Sequence, residues 1–130
     1  MLFSILTFLV VLSILILVHE FGHFIAARKA GVWVEEFGFG LPPRVLGKKI
    51  GETIYSINLL PFGGFVRLHG ENTEEEITNS SRAFLHKGKI QRLVIILAGV
   101  FMNFALAIAA FSVVYSFSGI PRESQNVHVI

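Results

Sequence analysis

Two imidazoles and a carboxylate stand close together in His19-Glu20-Phe21-Gly22-His23. On a helix, His19 and His23 lie one turn apart on the same face, where both rings reach one metal ion. Glu20 sits about 100° round the helix from His19. From there it can take a proton from a water that the ion has activated and pass it to a leaving amine. The spacing is that of zinc-dependent peptide hydrolysis, with His19 and His23 as metal ligands, Glu20 as general base and Zn2+ as the ion. The same pattern also arises by chance in soluble helices. The surroundings of the motif decide between the two.

Those surroundings are apolar. From Met1 to Ala27 the only ionisable side chains are His19, Glu20 and His23, and a second run, Leu93 to Phe117, has none. A membrane span takes about 20 mostly apolar residues at about 1.5 Å each, and both runs exceed that. Ionisable groups inside a span cost about 2.5–3.5 kcal/mol each on insertion scales, so three at metal-ligand spacing point to function rather than accident. The first run lacks a basic start and is longer than the apolar part of a cleaved signal peptide, so it reads as a retained span.

Ten of the eleven Lys and Arg lie between the runs, from Arg28 to Arg92. The preference of basic residues for the cytoplasmic side places this segment in the cytoplasm and both chain ends outside, in a multi-pass inner (plasma) membrane protein. Counted from Arg28, His23 and His19 lie about 7–14 Å inside the boundary; counted from Arg92, Gly99 and Asn103 lie about 10–17 Å inside. The two runs, antiparallel, thus bring the metal motif and Gly99-Val100-Phe101-Met102-Asn103 to similar depth. Gly99 permits close helix contact. Asn103 offers a buried amide, either as a tie between helices or as active-site lining that meets substrate.

The expected architecture is therefore a mainly α membrane protein: a first helix over 1–27, a cytoplasmic segment over 28–92, a second helix over 93–117 and an extracytoplasmic tail over 118–130. Within the segment, Thr53 to Leu59 alternates apolar and polar residues like a half-buried strand, and Phe65 to Leu68 reads as a returning strand. Residues 34–69 are expected as a small antiparallel sheet or hairpin, with Pro42-Pro43 breaking any regular element and Pro61-Phe62-Gly63-Gly64 as a turn. Glu71 to Ser81 reads as a solvated linker, with Ser80 or Ser81 capping a short helix that lies on the membrane face. His69, His86 and His128 stand alone, without a partner three or four residues on, and carry no ligand role. The chain has no Cys, which excludes disulfides and thiolate metal sites, and its net charge of +2 is too small to argue for nucleic acid.

With these residues in place, the chain resembles the site-2 protease family of intramembrane zinc metalloproteases, most of all the bacterial regulator of sigma-E protease group. The likeness rests on His19-Glu-Phe-Gly-His23, Phe37-Gly-Phe-Gly-Leu-Pro-Pro43, the run from Leu60 to Glu71, Phe84 with Gln91-Arg92, and Ala98-Gly-Val-Phe-Met-Asn-Phe104. Val100 departs from it, since a Pro commonly follows the Gly. The resemblance implies hydrolysis of peptide bonds in or near transmembrane segments of protein substrates. It implies a membrane-associated β-hairpin that presents substrate as an added strand, a role that Thr53 to Leu59 would suit. It also implies a third zinc ligand, an Asp on a later span, and a PDZ domain after the second span. This chain holds no Asp, so it reads as the front part of such an enzyme, its tail running into the PDZ domain and the piece alone inactive. The alternative is a truncated pseudoprotease or membrane-binding module.

Overall fold

The computed structural model describes residues 1–74 and 76–119. The expected start of a further domain over 120–130, with His128, lies outside the described residues. Two helices dominate: α1, Leu2–Lys29, and α2, Lys89–Ser118. Their most apolar stretches have mean hydropathy 2.7 and 2.5, yet only 6% and 11% of those stretches is buried. A soluble core helix of that composition would be covered, so these two are helices long and apolar enough to cross a membrane. Helix α1 has basic Arg28 and Lys29 in its last turn, where they suit the negative end of the helix dipole, and Gly31, at φ +71°, turns the chain away. Helix α2 starts at Gly88, whose backbone N–H is capped by the Gln91 side chain at 3.2 Å.

Between the helices stand β1, Val34–Ile50, and β2, Thr53–Leu68, paired antiparallel across a tight turn at Gly51. The register shows that both strands bend back on themselves. Val34 to Phe39 pairs with Leu68 to Gly64 on one side. The same stretch also faces Ile54, Tyr55, Ser56 and Ile57 on its other side, and these in turn pair with Lys49 back to Leu46. The expected small sheet over 34–69 is present, but Pro42-Pro43 does not end the first strand. The pairing steps from Leu41–Leu60 to Arg44–Asn58 and passes over both prolines, so their missing N–H groups are not needed by the ladder.

The double pairing corrects one expectation. Tyr55 lies between Phe37 and Lys48, and Ser56 between Gly38 and Gly47; from Ile54 to Ile57 both edges are occupied, so the middle of the Thr53 to Leu59 strand has no edge left for an added strand. The stretch from Gly64 to Leu68 pairs on one side only among the described residues.

The core sits where the sheet, both helices and the linker meet: Phe24, Ala27, Val32, Val34, Leu68, Phe84 and Ile95. The short helix expected near Ser81 is instead two 3-10 turns, Ser80–Arg82 and Phe84–His86. Phe84 explains this. Its ring joins the core, its N–H donates to His69 O at 2.8 Å, and Leu85 N–H donates to Gly70 O, which ties the backbone to the end of β2 rather than into a helix. Arg82 forms a two-point bond with Glu52 and fastens the same turn to the tip of the β1–β2 turn. His69, with 3% exposure, is a strut: Glu35 Oε1 lies 2.7 Å from Nδ1, and Nε2 accepts the Asn79 N–H.

Candidate metal centre

Helix α1 carries His19, Glu20 and His23 half-buried on the side that α2 and the end of β2 cover. The helices touch through glycine. A Cβ on Gly22 would lie 2.4 Å from Ala98 O, and one on Gly99 would lie 2.7 Å from the Cε1 and Nε2 atoms of His19. Only Gly at these two places lets α2 approach this closely. His23 Nδ1 lies 2.7 Å from the carbonyl oxygen of Ile95. The successive contacts His19–Gly99 and His23–Ile95 run in opposite directions along the two helices, so the helices are antiparallel.

A carbonyl oxygen only accepts, so His23 Nδ1 carries the proton and donates, which leaves the Nε2 lone pair for an ion; ligating histidines are oriented in just this way. The rings of His19 and His23 have centroids 4.7 Å apart at 83°. Two imidazoles bound to one tetrahedral ion at about 2.0–2.1 Å would have centroids about 5 Å apart, so the spacing fits. Among the described residues no group of three or more His, Asp, Glu or Cys could hold a metal. The two histidines thus fit two positions of a zinc site that takes three protein ligands.

Glu20 opens into a cavity of about 380 Å3 shared with His23. Its carboxylate lies against the backbone of Val66 in β2. The other walls are Phe65, Leu68, Phe84, Ile95 and Ile96, with Glu71 beside them. Sequence reasoning placed none of these at the site. The signal lies in the run from Leu60 to Glu71 and in Phe84, which carry part of the resemblance, while patterning alone gives them only a hairpin, a linker and a short helix on the membrane face. Of the two α2 residues named from depth, Gly99 meets His19 directly. Asn103 lies one turn further on, with its Oδ1 buried and without a hydrogen-bond partner among the described residues.

A family model described as Peptidase family M50 matches residues 7–128. The chain belongs to peptidase family M50. Among its relatives, a Clostridium perfringens protein named "putative zinc metalloprotease" is 48% identical over 103 residues, 79% of this chain and 30% of that protein. One of the same name from Clostridium acetobutylicum is 42% identical over 91% of this chain and 34% of its own length. The regulator of sigma E protease of Haemophilus influenzae is 38% identical over 92% of this chain and 27% of its own. The M50 chain therefore spans about a third of the length of the relatives it matches. Two of these three relatives carry zinc in their names, in accord with the ion that the two histidines fit.

Proposed function

We propose that this chain is the front part of a zinc metalloendopeptidase that cleaves transmembrane protein substrates within the bilayer. The observation that carries the reading is the position of His19, Glu20 and His23 inside an apolar helix, with His23 already held in the tautomer a metal ligand needs. His19 and His23 would hold Zn2+ together with a ligand from outside the described residues. Bound there, the ion would acidify water and polarise the scissile carbonyl. Glu20 accepts the proton and delivers it to the leaving amine; the backbone of Val66 fixes where its carboxylate stands. Gly99 sets the closeness of α2 and so the pose of the His19 ring.

The sheet belongs to the same proposal. Pro61 and Phe62 share a cavity with Leu6, Val10 and Ser13 of α1. Ser13 precedes Arg28 by fifteen residues, so if α1 crosses the membrane with Arg28 at the cytoplasmic face, the far end of the sheet reaches about 22 Å in. Its exposed apolar side chains, Leu41, Val45, Leu59 and Leu60 among them, would then face lipid. The segment between the helices thus dips back into the membrane instead of staying in the cytoplasm. Helical peptide bonds are shielded, and unpaired backbone groups in lipid cost several kcal/mol each, so substrate unwinds most easily where a strand edge can pair with it. The one-sided stretch Gly64 to Leu68, whose Phe65 and Val66 line the cavity of Glu20, is that edge.

The test is the full-length protein in lipid vesicles with zinc and a labelled single-span substrate. Cleavage mapped by mass spectrometry inside the apolar segment, lost on chelation and restored by zinc, is expected. Zinc-loaded protein that leaves every single-span substrate intact would overturn the reading.

A further inference from the structure

The cavity beside Glu20 has two chemically distinct parts. Its inner wall is apolar and fixed: Leu68, Phe84 and Ile95 all belong to the buried core. Its outer wall is open to the surroundings: Ile96 is 56% exposed, and Glu71 is exposed and close enough to Glu20 for the two charges to interact. At about 380 Å3 the space is at the small end of the roughly 300–1,000 Å3 that ligand sites occupy, which suits one side chain rather than a length of peptide. Phe65 and Val66 bring the strand edge to its mouth. Side chains of an extended peptide alternate between two directions, so a strand laid on that edge sends one residue into the cavity and the next away from it.

Resting on the proteolytic reading above, we infer that this cavity is the specificity pocket for the substrate residue beside the scissile bond: it takes an apolar side chain of the size of Leu, Met or Phe, and Glu71 discriminates against an acidic residue at the adjoining position. The inner wall supplies the preference for size. A missing methylene in an apolar pocket lowers kcat/KM by about tenfold or more. The charge preference is weaker, about two- to fivefold, as for exposed ion pairs, and shrinks with salt.

The test measures kcat/KM of the zinc-loaded full-length protein in vesicles on matched substrates that carry Leu or Ala at this position, with Lys or Glu next to it. Leu is expected to exceed Ala by about tenfold or more, and Lys to exceed Glu by about two- to fivefold. Ile96→Trp adds bulk on an exposed wall without touching the buried core, and is expected to abolish or reverse the Leu preference. Glu71→Lys is expected to reverse the charge preference and leave the size preference in place. Equal rates for Leu and Ala in the parent protein, or a Leu preference that Ile96→Trp leaves unchanged, would overturn the pocket. A charge preference that survives Glu71→Lys would overturn the role of Glu71. Each of these outcomes requires cleavage; its complete absence refutes the proteolytic reading itself.

Discussion

At the scale of residues, the site depends on atoms that carry no chemistry of their own. The carbonyl of Ile95 sets the tautomer of His23, and the missing side chain of Gly99 makes room for His19. Gly99→Val puts carbon within 2.7 Å of the His19 ring, so either the ring turns or the helices part. Zinc affinity of the full-length protein, titrated against a chromophoric chelator, should fall by at least about tenfold, the scale of losses around metal ligands. Unchanged affinity would mean that the ring has a second pose. The histidine spacing was legible in the sequence because helix geometry alone puts positions four apart on one face. Counting residues from Arg28 and Arg92 also set Gly99 near the right level. It could not show that Gly99 meets His19, nor that Phe84 and Glu71 stand beside Glu20, because those contacts depend on how the sheet folds over the helices.

At the scale of elements, the sheet is where sequence reading ran short. Alternation reported strands over 53–59 and 65–68, but period-two patterning does not say which neighbours a strand has, and here one stretch has two. Pro42-Pro43 looked like a break because a proline in a ladder removes a donor, and the register avoids the loss by skipping it. What holds the bent sheet is a charge clamp. Glu36, 2% exposed, accepts from Arg44 Nε at 3.0 Å and faces Arg67 at 3.2 Å. Burial alone would raise the Glu36 carboxyl, but the hydrogen bonds and charge of Arg44, with Arg67 behind it, win and hold it below the ordinary value of 4.5. Its stabilisation is therefore present above that value and lost as pH falls through the lowered one. The two arginines are nearly half exposed, which limits the effect, so Glu36→Gln should cost about 1–3 kcal/mol at neutral pH. Thermal unfolding in detergent, followed by the lone Trp33, should show the parent and variant converging in acid, as pH falls through the lowered Glu36 value. A gap that persists in acid would place the contribution of Glu36 elsewhere.

At the scale of the molecule, two uncovered apolar helices and an apolar sheet end share one orientation. Composition made the helices plain, because both runs are long and apolar enough to cross a membrane. It did not reveal that the intervening segment lies along α1, since Leu41, Leu59 and Leu60 look like any strand residues until their exposure is seen. The chain has no Cys, so single cysteines report cleanly. In intact cells an impermeant thiol reagent should label Ser118→Cys but not Ser81→Cys, which should label only after permeabilisation. Leu60→Cys should resist from both sides. Labelling at Ser81 in intact cells would reverse the orientation, and ready labelling at Leu60 would put the sheet in water.

The most direct measurement of the central claim pairs zinc content with cleavage in Glu20→Gln of the full-length protein. Gln keeps the shape of the side chain but cannot take the proton. The variant should retain stoichiometric zinc on His19 and His23 and still bind a single-span substrate, while its turnover falls by at least about 10²-fold. Near-normal cleavage by a zinc-loaded Glu20→Gln protein would contradict the assignment of Glu20 as the base, and with it the chemistry proposed for this helix.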